Sequence, residues 1–175
     1  MKIVCYPNRI LAEPTPKVTV FDQKLRDTAK MMFETMYAAN GVGLAAPQVG
    51  LSLRMAVICT GNCPDGEVVL VNPEIIDSQG KATVEEGCLS FPGIYVKVSR
   101  HAAVKVQYQD LDGATHVLEA EGLLARAVQH ELDHLDGVLL YDHMSPIQRM
   151  ANRRALRMLE LRQASGADPV VGGST

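Results

Sequence analysis

No apolar run in this sequence is long enough to span a bilayer, which excludes a membrane-spanning helix. A secretory leader is not expected either, because Tyr6-Pro7-Asn8 interrupts the few apolar residues after Lys2 before a hydrophobic region can form. Basic residues are not in excess: 17 Lys and Arg stand against 20 Asp and Glu, a net charge of -3, which argues against a protein built around DNA or RNA. The average hides an asymmetry, since residues 145–164 carry +4 and the remainder -7. There is no internal repeat and no interdomain linker. The expectation is one domain over residues 1–164 with a flexible tail at 165–175. Four cysteines form no paired motif, and a cytosolic, reducing setting would keep Cys5, Cys59, Cys63 and Cys88 as thiols. What is present is ordinary globular material, 47% hydrophobic and 21% charged, enough for a proper core.

The stretch GVGLAAPQVG, Gly41 to Gly50, satisfies a dinucleotide fingerprint on paper. That fingerprint works only where a strand enters the first glycine and a helix leaves the last. Here the flanks are reversed. Leu25, Ala29, Met32, Phe33, Met36 and Tyr37 recur at helical spacing upstream, with Asn40-Gly41 as a stop, and Pro47 pushes Ala46 toward extended geometry downstream. The glycines point to close backbone approach to something other than phosphate.

Further along, Leu51–Cys59 and Val68–Val71 read as strands joined by a turn at Cys63-Pro64-Asp65-Gly66. Alternation at Val96, Val98, Val104, Val106 and Tyr108 predicts two strands flanking Ser99–Ala102, and Asp110-Leu111-Asp112-Gly113 a hairpin into Thr115–Leu118. Helical spacing returns from Leu123 to Leu135, closed by Asp136-Gly137, and again from Pro146 to about Gln163. The fold class is α+β, with antiparallel or mixed sheets around a central helix and a further helix at the C-terminus.

The central helix carries His130-Glu131-x-x-His134. Histidines four apart on a helix stand on one face and can reach one metal ion, with the glutamate beside it as a base. A catalytic site of this kind needs a third protein ligand. A histidine six residues after the second is absent, since Leu140 holds that place, and Glu160 on the later helix is surrounded by arginines. Cys88, between Gly87 and Pro92-Gly93, is the leading candidate, because a thiolate on such a loop can project into a cleft. Cys59 and Cys63 read as structural thiols. Thiolate ligation makes a softer centre, compatible with Fe(II), Zn(II), Ni(II) or Co(II).

Three segments in this order, GVGLAAPQ, EGCLS and QHELDHLDG, resemble peptide deformylase over roughly Pro7 to Leu161. The resemblance implies a bacterial, cytoplasmic enzyme, or a mature organellar form of one. Its reaction would remove the formyl group from the initiator methionine of nascent chains and release formate, by attack of a metal-activated water. It implies Cys88, His130 and His134 as metal ligands, with ferrous iron in the cell and zinc common in purified material. Glu131 would be the acid and base, and Gln48 and the backbone N–H of Leu89 would bind the developing oxyanion. Val42, Gly43, Leu123, Arg126 and Ala127 would bind substrate, Gly43 through its backbone. Glu86 and Arg100 match acidic and basic positions and can form a buried pair or lie on the surface, and Gln129 can support the site or be solvated.

Arg126 departs from the apolar residue expected at its position. It lies one turn before His130, so either its stem lines the methionine pocket while the guanidinium reaches water, which is the expectation, or the guanidinium closes the pocket end by pairing with an acid. Arg149, Arg153 and Arg157 read as a solvated face opposite Ile147, Ala151, Met158 and Leu159; the resemblance to deformylases implies the alternative, a ribosome contact through rRNA phosphate. Two rival readings are an HExxH peptidase acting on internal bonds and a non-enzymatic ribosome- or RNA-binding module.

Overall fold

The computed structural model describes residues 1–61 and 66–166. Helix α1 (Gln23–Ala38) starts where the Asp22 carboxylate accepts the Leu25 N–H. It ends at the expected pair Asn40-Gly41, where the Asn40 φ of 54° lets the Gly41 N–H turn back to the Met36 carbonyl. The chain then runs through β1 (Gly43–Ala45) and a single 3-10 turn, Ala46–Val49. Pro47 therefore sits inside the first turn of a short helix, where its missing N–H is tolerated, and the extended residue is Ala45 rather than Ala46.

Next come β2 (Met55–Ile58), β3 (Val68–Gln79), β4 (Ala82–Gly87), β5 (Tyr95–Arg100), β6 (Ala103–Gln109) and β7 (Thr115–Glu121). All pairings are antiparallel, in a five-stranded sheet of order β1-β2-β3-β6-β7 and a β4-β5 hairpin. Strands β5 and β6 do flank the expected turn, but they belong to different sheets. β3 runs well past Val71 because a register shift at Asn72-Pro73 absorbs the proline. Asn72 has φ 52°, and its side chain bonds both the Val18 backbone and Gln109. The turn expected at 63–66 lies, apart from Gly66, outside the described residues, as do Cys63 and residues 167–175.

Helix α2 (Gly122–Leu135) lays Leu124, Ala125, Ala127, Val128 and Leu132 on Ile58, Leu70, Val104 and Val106 of the larger sheet. It stops at Gly137, φ 74°, where a Cβ would meet the Ala12 carbonyl oxygen at 2.8 Å, so glycine serves both the turn and the close contact. Helix α3 (Pro146–Ala164) opens with a reciprocal cap between Ser145 and Gln148. Its buried face is Leu156 and Leu159, packed on Phe91, Ile94 and Val96. Ile147 and Met158, expected on that face, are exposed, as is Ala151. The stripe that the protein covers runs along Leu156 and Leu159, with Ala155 partly buried beside them, rather than along Ile147 and Met158. No helix among the described residues is long and apolar enough to cross a membrane.

Candidate metal centre

α2 turns an unusual face inward, because Gln129, Glu131 and His134 are buried beside its apolar residues. Polar groups in such a position need partners or a ligand. Gln129 has partners: its amide exchanges hydrogen bonds with the His101 backbone at 2.9 Å each way, tying α2 to the β5–β6 turn. It does not support a histidine of the site. His130 and His134 stand edge to face with ring centroids 5.0 Å apart. The loop after β4 brings Cys88 to them, with Sγ 3.2 Å from His134 Nε2. Ligand atoms of Cys88, His130 and His134 all lie within 4.8 Å of one another.

This donor set fits a metal ion. Sulfur and nitrogen donors on a tetrahedral ion stand about 3.5 Å apart at ordinary bond lengths. Burial alone would raise the Cys88 thiol, but the facing His134 and His130 hold it well below the usual thiol range, which favours the thiolate a metal requires. His130 Nδ1 is 3.2 Å from Glu86 Oε2, which orients the ring with its other nitrogen toward Cys88. Glu86 in turn takes a two-pronged bond from Arg100, Nε to Oε1 at 2.7 Å and Nη2 to Oε2 at 2.9 Å. Of the two readings for that pair, the structure selects the buried one.

Sequence reasoning missed the rest of this network. Arg100 Nη1 also donates to Asp133 Oδ2 at 2.8 Å, and His143 Nε2 faces the same oxygen at 2.7 Å. The pairing of Asp133 with residues 33 positions upstream and 10 downstream leaves no local pattern. The one available hint is an acid within a helix turn of both histidines.

Glu131 lies beside the donor set, with Oε2 lacking any hydrogen-bond partner and burial pushing its pKa up to about 7 against the opposing pull of His130 and His134. Gln48 is fixed by its carbonyl oxygen, which accepts the Ala45 N–H at 2.8 Å. Its Nε2 is thereby aimed at Cys88 Sγ, 3.6 Å, and Ser90 Oγ, 3.3 Å. The Leu89 N–H donates to none of the described residues. A cleft of about 760 Å³ opens over the centre, and Val42, Gly43, Gln48, Leu89, Leu123, Arg126 and Ala127 all line it with Cys88, His130 and Glu131. His134, 1% exposed, is the one expected site residue outside the cleft wall. Gly41 and Gly43 make the close approaches read from the sequence: a Cβ would fall 2.8 Å from the Leu89 side chain and 2.3 Å from Glu131 respectively.

Residues 1–150 match the family model described as polypeptide deformylase. Among curated relatives, peptide deformylase 1 of Bacillus anthracis is 52% identical over 139 residues, covering 79% of this chain and 88% of its own. The peptide deformylase of Acidobacterium capsulatum is 47% identical over 160 residues, covering 90% and 94%. A crystal structure of a peptide deformylase from Legionella pneumophila superposes with a TM-score of 0.86 at 45% identity, covering 93% of this chain and 96% of that one. With family, relatives and fold in agreement over most of its length, this chain belongs to the polypeptide deformylase family.

Proposed function

We propose that this chain hydrolyses the formamide of N-formylmethionyl nascent peptides in the cytoplasm, releasing formate, with Glu131 as general acid and base. The observation that carries the reading is the buried Glu131 carboxylate, one oxygen unpartnered, beside the Cys88, His130 and His134 donors at the floor of an open cleft. Cys88, His130 and His134 would hold a divalent metal, Fe(II) in the cell, with Zn(II), Ni(II) or Co(II) able to replace it. When bound, such an ion supplies a Lewis acid that polarises the formyl carbonyl and acidifies water.

The chain's own groups supply the remainder. Glu131, with a pKa of about 7, can take a proton from the attacking water at one carboxylate oxygen and return it to the departing amine nitrogen. The carbon–oxygen bond forms and the carbon–nitrogen bond breaks, so one water is consumed and formate and a free amine leave. The Gln48 amide and the Leu89 N–H are the donors for the developing oxyanion. The Val42 and Gly43 backbone lies along the peptide, and Leu123, Arg126 and Ala127 receive the methionine side chain.

All five arginines of α3, at 149, 153, 154, 157 and 162, are exposed, as a ribosome contact requires and as a solvated face would also have them. Charge reversal at Arg153 and Arg154 should then weaken salt-sensitive co-sedimentation with ribosomes and spare activity on short peptides. The catalytic reading is tested with formyl-Met-Ala-Ser, which should yield formate while unformylated peptide and casein stay intact. Cleavage of casein without formate release would replace it with a peptidase.

A further inference from the structure

Gln48 and Leu89, read above as the two oxyanion donors, sit on separate segments, the 3-10 turn Ala46–Val49 and the loop after β4. Among the described residues no backbone hydrogen bond runs directly between that turn and residues 88–91. The direct hydrogen bonds between them are made by Gln48 Nε2, to Cys88 Sγ and Ser90 Oγ. This is the group that must turn to the substrate, so it cannot also be what holds the two segments in register.

A third segment holds them. The Val4 N–H donates to the Gln48 carbonyl at 2.7 Å, and the Tyr6 N–H donates to the Ser90 carbonyl at 3.0 Å. Between the two, the buried Cys5 Sγ faces the Leu89 carbonyl at 3.8 Å. Amides two residues apart lie at most about 7 Å from each other, which caps the separation of the two carbonyls they hold. The bridge is itself locked by its last side chain. The Tyr6 ring stacks on Phe91 at 5.0 Å and on Tyr141 at 5.9 Å, and the Arg149 guanidinium lies 4.3 Å from the centre of the Tyr141 ring. Phe91 is fully buried and belongs to the same loop as Cys88 and Leu89.

We propose that Val4, Cys5 and Tyr6 are a positioning element for oxyanion binding, holding the Gln48 turn and the Leu89 loop at the separation where both donors reach one oxygen. The segment touches neither substrate nor metal. It acts through Gln48 and Leu89, so it rests on their assignment as donors. Such donors are effective only within a narrow distance of the developing charge, and a small displacement lowers turnover more than ground-state binding.

The test is a double-mutant cycle on the metal-loaded enzyme with formyl-Met-Ala-Ser. Tyr6→Leu removes the ring stack and should lower kcat about tenfold, a fraction of the 100- to 1000-fold typical for loss of a whole oxyanion donor. KM and metal content should stay within twofold or so of wild type, since neither depends on the transition state. Tyr6→Phe keeps the stack and should restore kcat. Combined with Gln48→Ala, Tyr6→Leu should add almost nothing, because only the Leu89 N–H then remains and there is no separation between two donors left to set. In 15N-labelled protein the Gln48 side-chain amide signals should move in Tyr6→Leu and stay in Tyr6→Phe. Val4→Pro deletes the donor to Gln48 without touching the rings, and must show the same loss and the same non-additivity.

Wild-type kcat in folded Tyr6→Leu and Val4→Pro overturns the proposal, as do losses that multiply with that of Gln48→Ala. Wild-type kcat in Gln48→Ala itself overturns the oxyanion assignment and the positioning role with it. That outcome is told apart from failure of positioning alone, where Gln48→Ala is slow and Tyr6→Leu is not.

Discussion

A Cβ atom on Gly43 would lie 2.3 Å from Oε1 of Glu131 and 2.9 Å from its carboxyl carbon. The β1 backbone is thus the wall against which the Glu131 carboxylate rests, and only glycine leaves that space open. Gly43→Ala should displace the carboxylate while β1 keeps its pairing with β2. The expected result is a kcat lower by about 100-fold or more, in the range for loss of a general acid or base, at unchanged metal content. Turnover close to wild type in a folded variant would mean that the carboxylate position does not matter.

Cys88→Ser should lose metal before it loses fold, because an alcohol is neither anionic nor soft at neutral pH. Elemental analysis after dialysis should find the variant depleted and wild type loaded. Stripping wild type with a chelator should reproduce the inactivity, and added metal should rescue wild type alone. Full occupancy with unchanged turnover in Cys88→Ser would remove the cysteine from the ligand set.

Glu131→Ala separates holding metal from moving protons. The unpartnered Oε2 makes the residue a proton carrier in this reading, so metal should be retained while activity drops by about two to four orders of magnitude. Metal loss in this variant would make Glu131 a ligand instead.

Much of this site is legible in the sequence because its chemistry is local. His130, Glu131 and His134 lie within two turns of one helix, and Gly41 to Gln48 is one short segment. Strand periodicity also located β5 and β6, since each alternates buried and exposed residues over at least part of its length, and the turn at Asp110–Gly113 located β7. What stayed hidden depends on tertiary pairing. β4 has one buried residue in six, and that residue is the charged Glu86, so its partnership with β5 left no apolar pattern to read. Asn72-Pro73 looked like a strand end because proline cannot donate to a ladder, and only the bulge reveals the continuation. The exposed Ile147 and Met158 misled the reading of α3, where helical spacing allows several stripes and the neighbouring surface picks one.

Arg100 is the hub of two carboxylates, the buried Glu86 and the half-buried Asp133, and its loss should be felt in stability first. Its side chain and that of Glu86 are each 5% exposed, so Arg100→Leu leaves an unpaired buried charge and should destabilise by about 3–5 kcal/mol. Burial would raise both acids, yet hydrogen bonds from His130 and Arg100 hold Glu86 below the usual carboxylate range, and those from His143 and Arg100 do so for Asp133. A lowered folded-state value means the stabilisation is complete above the unfolded value near pH 4 and fades as pH falls through the folded one. The gap in denaturation midpoint between wild type and Arg100→Leu should therefore be widest at neutral pH and narrow on acidification below about pH 4. A gap that is constant with pH would show that Arg100 stabilises through packing alone.

Arg126 lines the cleft one turn before His130, half-buried, with no ion pair to any described residue. A guanidinium without a partner cannot sit dry, so its head must reach water at the cleft mouth while the methylene stem covers apolar wall. Leucine can supply the same wall. Arg126→Leu should then keep kcat within about tenfold and change KM modestly, because neither a buried pair nor a reacting group is lost. Stability should be nearly unchanged, by the same reasoning. The contrast with Arg100 makes the test sharp, since an arginine paired with two carboxylates and one that lines the cleft without an ion pair to any described residue should give opposite phenotypes, one structural and one confined to substrate binding. A collapse of stability in Arg126→Leu would place a partner on this guanidinium, and the methionine pocket would then need a different wall.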